Sequence, residues 1–389
     1  VSKQRNTLKE EAAMSSEIGQ RVYEELGVRP VINATGGHRT LLGGSILSPK
    51  VRQAMEEANR YYVDMEELLD KSGQVVAELL GCEAAYVTSG CCAALALGTA
   101  ACIAGSDPEK MERLPDVKGM RHEVIIQKGL RYKYDRCVTV PGAKLVQVGD
   151  ESGTTLEQME AAIEDRTVAI LYRAPGGGPG VVPLEDVIRI GKQHEIPIIV
   201  DAAGQVYPVE RLQKYTRMGA DLVGYGAKYF GAPNSAGVLC GRKDLVETAA
   251  LHSFIGFEAS PYRAFGRPMK LDRQEIIAVV VALREWMTMD HQVRFESYAR
   301  RVSTLQEKLK GIPNVELVPH GSPVTGLRIA LDEKALGKTA TKVADALQEG
   351  NPSIWLHHQQ DAITVSVVTI VDGDELVIAD RLGRLLADE

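Results

Sequence analysis

The feature that most constrains this chain is an alternation of short apolar strands with helical runs between residues 84 and 241. AAYVT, EVIIQ, AKLVQVG, TVAILY, PIIVDAA, DLVGYG and SAGVLCG are each brief, apolar and rich in β-branched residues. Between them lie helical runs such as SGCCAALALGTAACIAG, LEQMEAAIE and LEDVIRIGKQH. Apolar strands that lack polar alternation are buried on both faces, and intervening helices can cover both faces of a largely parallel sheet. In such sheets ligands bind beyond the carboxyl ends of the strands.

The flanks suggest a second unit. Ser48 and Pro49 have helix-start chemistry, with Val51 and Met55 on an apolar face, and a further helix is expected over about Met65–Leu80. A long helical pattern runs from about 271 to 310. The end of the chain mixes strands (GLRIAL, AITVSVVTI) with helices (TATKVADALQE, ELVIADRLGRLLA), a small α+β pattern. The expected division is a large domain over 48–285 and a small C-terminal domain over 286–389, to which residues 1–47 contribute. The 389 residues are enough for one large and one smaller domain, with no need for a disulfide or metal staple.

Bulk properties narrow the function. A formal charge of −7 argues against a nucleic-acid footprint, which is usually a basic face. The apolar stretch 91–104 is too short to span a bilayer, and the polar N-terminus has no signal-peptide core. Cys82, Cys91, Cys92, Cys102, Cys137 and Cys240 form no C-x-x-C pair and read as buried free thiols in a reducing compartment. The expectation is a soluble cytoplasmic protein with no metal site.

Three positions carry the chemistry. Asp201 ends the apolar run IPIIVD, where a buried carboxylate needs a partner. A protonated pyridine nitrogen is one; a helix cap or turn is the other. Lys228 follows the next strand, in DLVGYGAKYFGAPNSAG. Apolar neighbours lower a lysine's pKa and suit it to Schiff-base chemistry, whereas a loop lysine would simply be solvated. In TSGCCAALALG a strand ends and a helix begins, so Ser89 and the backbone N–H groups after it make either an anion site or an ordinary cap.

The order of these elements, with GVRPVINATG, YVDMEELLDKSG, IPIIVDAAGQVYPVE, GADLVGYGAKYFGAPNSAGVLCGRKDL and GRPMKLDRQEI, resembles the selenocysteine-synthase-like branch of fold-type-I pyridoxal 5′-phosphate enzymes. That branch includes L-seryl-tRNA selenium transferase and D-glucosaminate-6-phosphate ammonia-lyase. The resemblance implies a mostly parallel, seven-stranded type of sheet between helices plus a small α+β domain. It implies a Schiff base on Lys228, Asp201 on the pyridinium nitrogen, and Ser89, Gly90 and Cys91 at the phosphate. By the same resemblance Ala203, Gln205 and Gln127 line the ring. Arg267 and Lys270 either bring positive charge towards a phosphate, in the same or a neighbouring subunit, or form a solvated basic turn.

Departures from the relatives concern the substrate side. Tyr225 stands where many carry a phosphate-binding Ser, its hydroxyl being a possible substitute. Leu130 stands where ammonia-lyase relatives often have a ring-stacking His, and Val368 where many have a carboxylate-binding Arg. Arg39, beside His38 in the loop ATGGHRTLLGGS, is the expected replacement for that Arg or else a surface residue. His38, Tyr134 and Tyr225 are the available proton donors for a leaving group. The expected activity is α,β-elimination of the ammonia-lyase type on a small amino acid, D-configured and phosphorylated ones included. Transfer or racemisation is the alternative. Action on aminoacyl-tRNA is disfavoured by the acidic charge. The expected assembly is a homodimer or a higher homo-oligomer.

Overall fold

The computed structural model describes residues 22–387 as two compact units, one over residues 44–289 and one formed by the chain up to Gly43 with Asp290 onward. In the first, helices α1 (Pro49–Ala58) and α2 (Met65–Leu80) precede strand β1 (Ala84–Thr88) and helix α3 (Cys91–Ala104). Then come β2 (Glu123–Gln127), β3 (Lys144–Val148), β4 (Thr167–Arg173), α4 (Leu184–Gln193), β5 (Ile198–Asp201), α5 (Arg211–Met218), β6 (Leu222–Gly226) and β7 (Gly237–Gly241). Helices α6 (Lys243–Leu251) and α7 (Arg273–Thr288) close the unit.

All seven strands fall where the apolar runs place them. They form one sheet in the order β1-β7-β6-β5-β4-β2-β3. Only β7 runs antiparallel to its neighbours; the other pairings are parallel. Every residue of β2, β6 and β7 is buried, which explains the absence of alternation in their sequences. Helix α3 is buried almost all round, which matches its Ala- and Gly-rich composition. Ser48 caps α1 by accepting from the Val51 amide, as its position before Pro49 suggests.

The other unit has a separate core around Val302, Leu305, Leu327, Ile329, Ile363, Val365 and Leu382. Strands Val315–His320, Gly326–Leu331, Ala362–Ser366 and His357–Gln359 make an antiparallel sheet, with helices His291–Leu309 and Asp374–Ala387 in the same unit. Strand Val31–Asn33 pairs in parallel with Ser353–Trp355. Among the described residues no helix is long and apolar enough to cross a membrane, and no cluster of side chains is arranged to hold a metal. Cys240 is buried, but Cys92 is exposed: it occupies the first turn of α3, before the helix passes under the sheet.

Candidate active site

The carboxyl edge of the parallel strands gathers the chemistry. Asp201 is the last residue of β5 and is 6% exposed. Its Oδ1 accepts from the Ala203 amide at 3.0 Å and from the Cys91 thiol at 3.5 Å. Its Oδ2 accepts from the Tyr132 hydroxyl. Each contact constrains the carboxylate, and Ala203 acts through its backbone alone.

Lys228 lies on the turn Ala227–Phe230, just beyond β6. Its Nζ donates to Asn234 Oδ1 at 3.2 Å and sits 5.5 Å from the Tyr229 ring centroid. Burial lowers the amine's pKa, opposed by the nearby Cys92 thiol. A larger neutral fraction makes this lysine a better nucleophile than a solvated one.

The third component is the start of α3. Gly90, at φ 86° and ψ 166°, is its N-cap, and no side chain caps the helix. A side chain is excluded across from it as well: a Cβ on Gly237 would stand 2.4 Å from the Gly90 carbonyl carbon and 2.6 Å from the Cys91 nitrogen. The first N–H groups of a buried fourteen-residue helix are thus offered to an anion. Ser89 immediately precedes this turn and is half-buried. Burial and Asp201 push the Cys91 thiol well up, so Cys91 is a neutral neighbour rather than a nucleophile.

Other expected residues have different partners. Tyr225 is fully buried and its hydroxyl points at the Leu212 and Arg211 carbonyls, 3.1 and 3.2 Å away. The proposed phosphate contact of Tyr225 is therefore overturned. Alternate strand residues face opposite sides; a Cβ on Gly224 would meet the Cys91 sulfur, so Tyr225 projects to the α5 side. Gln127 bonds both ends of its amide to the Val182 backbone, at 2.7 and 3.0 Å, tying β2 to the segment before α4. Gln205 accepts from Arg211 at 3.2 Å. Arg267 pairs with Glu258 at 2.6 Å, and Lys270 is exposed. Val368 is half-buried against the core of the other unit, where Arg39 also lies, 3.3 Å from the His357 ring nitrogen Nε2, with His38 beside it in sequence.

Two site residues escaped the sequence reading. The segment after β2 contributes Tyr132, whereas Leu130 is 2% exposed and packs into the core. Asp135 fixes this turn by accepting from the Tyr132 amide at 3.2 Å and from Arg131 Nε at 2.5 Å. Tyr134 is half exposed and meets the Tyr132 ring edge-on at 6.2 Å. The second is Arg173, the last residue of β4, opposite Asp201 in register, with its guanidinium 5.3 Å from the Tyr132 ring centroid. The only sequence signal was position: an Arg closing an apolar strand, and a Tyr pair just after another.

An uncapped helix start, a strand-end carboxylate with an immobilised oxygen and a desolvated amine match the phosphate, ring nitrogen and aldehyde of pyridoxal 5′-phosphate. Fold and site define a fold-type-I pyridoxal 5′-phosphate enzyme. The family model for L-seryl-tRNA selenium transferase (SelA) matches residues 31–312, and the chain belongs to that family. It is 33% identical to a 5′-C-glycyluridine monooxygenase-decarboxylase of Streptomyces sp., over 94% of this chain and 92% of that one. It is 29% identical to the D-glucosaminate-6-phosphate ammonia lyase of Salmonella typhimurium, over 94% of this chain and 97% of that one. A solved structure of D-glucosaminate-6-phosphate ammonia-lyase superposes with a TM-score of 0.85 at 26% identity, covering 94% of this chain and 98% of the other.

Proposed function

We propose that the chain is a pyridoxal 5′-phosphate-dependent lyase that eliminates a β-substituent from a small amino acid, D-configured and phosphorylated ones included. The observation that carries this reading is the grouping of Asp201, Lys228 and the α3 start on one sheet edge, in a chain similar along nearly its whole length to an ammonia lyase. When bound, the cofactor supplies the electron sink that makes a proton on the substrate's α-carbon removable. Asp201 would pair with the ring nitrogen and favour its protonated form. Lys228 would hold the cofactor's aldehyde, and its Nζ would be the base for the α-proton, a task that its lowered pKa suits.

Elimination also requires a proton for the leaving group. Tyr225 is excluded by its burial on the far face. Tyr132 takes its place as the donor to test: its hydroxyl lies on the reactive edge against Asp201, and burial and Asp201 raise the phenol's pKa, which keeps it protonated at neutral pH while making it a weaker acid than a solvated tyrosine.

The decisive assay offers the holoprotein L-, D- and phosphorylated amino acids while recording keto acid, ammonia and deuterium exchange at the α-carbon. Keto acid with equimolar ammonia supports elimination. Exchange without keto acid points to racemisation, and amino transfer onto the cofactor to a transferase. A second reading, oxygen-dependent decarboxylation, is favoured by the similarity to the Streptomyces monooxygenase-decarboxylase. Oxygen uptake with carbon dioxide release in the same assay selects it. Action on aminoacyl-tRNA is the less favoured alternative for a chain of charge −7. The active species is proposed to be a homodimer or an assembly of dimers, in which Arg267 and Lys270 serve the phosphate of a neighbouring copy.

A further inference from the structure

Arg173 is a half-buried cation at the reactive edge of the sheet. It lies in register with Asp201 on the adjacent strand. Its guanidinium lies over the Tyr132 ring, and among the described residues no carboxylate pairs with it. Arginines elsewhere at the strand ends of this unit are neutralised: Arg242 is paired with Asp221 and Asp244, and Arg166 with Glu123. A guanidinium within cation–π reach of an aromatic ring still has N–H groups with which to meet a carboxylate bidentately.

The backbone after Arg173 is a glycine-rich loop. Ala174 is followed by Pro175, three glycines, Pro179 and Gly180, and Gly176, Gly177, Gly178 and Gly180 all have positive φ. Gly176 packs on the Tyr172 hydroxyl and Gly180 against Gly153, which pins the loop at two points. Nothing lies within 4 Å of where Cβ atoms on Gly177 and Gly178 would stand.

We propose that Arg173 is a substrate-binding residue whose guanidinium, placed over the Tyr132 ring, receives a carboxylate of the amino-acid substrate. This rests on the reading that an amino acid is bound beside Asp201 and Lys228. It gives the carboxylate a partner on the same unit as the lysine and assigns that role to Arg173 in place of Arg39.

The test compares two reagents that displace a lysine from pyridoxal phosphate and abolish its visible band. Aminooxyacetate carries a carboxylate; O-methylhydroxylamine does not. With the holoprotein, the ratio of their rates should exceed the ratio for free pyridoxal phosphate by about ten-fold or more, the size expected of a charge-assisted bidentate contact. Arg173→Gln should return the ratio to that of the free cofactor while the O-methylhydroxylamine rate stays within about two-fold and the thermal midpoint is kept. Arg173→Lys, which keeps the charge without the fork, should fall between, and it stands in if the glutamine variant does not fold. An unchanged ratio in either variant overturns the proposal. So does a wild-type ratio no greater than that of the free cofactor. A protein that binds pyridoxal phosphate without a band at either reagent's disposal would instead refute the Lys228 reading, and this proposal with it.

Discussion

At Lys228 and Asp201 the decisive property is desolvation managed by specific partners. Burial lowers the lysine's pKa, so attachment of the cofactor to apoprotein should accelerate with rising pH and level off below about 10.4, the value for a solvated lysine. A plateau at or above that value would contradict the burial argument. Lys228→Ala should load cofactor without the visible band of the wild type, and borohydride reduction of the wild type should leave the pyridoxyl group on Lys228 alone. Asp201→Ala should retain cofactor yet lose ~2–4 kcal/mol of barrier stabilisation, as for one preorganised electrostatic contact. Wild-type turnover in that variant would refute the pairing with the ring nitrogen. Tyr132→Phe separates proton donation from ring packing. Elimination should slow by about 10²-fold while α-proton exchange persists, within the usual range for a general acid. Equal loss of both would make Tyr132 a packing residue only.

Among the elements, α3 matters most, because its start is left open by two glycines, Gly90 before it and Gly237 on β7. Gly90 has a backbone conformation that side chains rarely adopt, with φ 86° and ψ 166°. Gly90→Ala should cost about 1–3 kcal/mol of stability and weaken pyridoxal phosphate binding, read by thermal unfolding and cofactor titration. Gly237→Val adds bulk against the Gly90 carbonyl and the Cys91 amide, and should weaken cofactor binding in the same way, although φ at Gly237 is not of the left-handed kind. If both variants bind cofactor as tightly as the wild type, the phosphate does not sit at this helix start. The Ser48–Pro49 start, the seven strands and the α3 run were legible because each depends on neighbouring residues: a cap, a fixed proline φ, or an unbroken apolar run. The orientation of Tyr225 was not legible. It depends on which face of β6 packs on α3, which a run buried on both faces does not reveal.

For the whole molecule, the proposed assembly is the prediction to check. Light scattering of the active holoprotein should give a mass of at least two chains, and a fully active monomer would contradict it. Charge bears on function at this scale too: a chain of −7 should show no salt-sensitive retention on tRNA, whereas tight, salt-sensitive binding would revive the aminoacyl-tRNA reading.

The order of a helix start, a strand-end Asp201 and a Gly-flanked Lys228 was determined by the sequence alone, since each is set by its place at the end of a local element. The same local patterns were enough for the parallel sheet. Tertiary structure alone decided what surrounds them. Tyr132 and Asp201 are 69 positions apart, and Arg173 reaches the same edge because β4 lies beside β5. Leu130 and Tyr132 differ by two residues, yet one enters the core and the other the site, because Asp135 fixes the turn between them and the site. Contacts of this kind follow from strand order and register, which no single segment encodes.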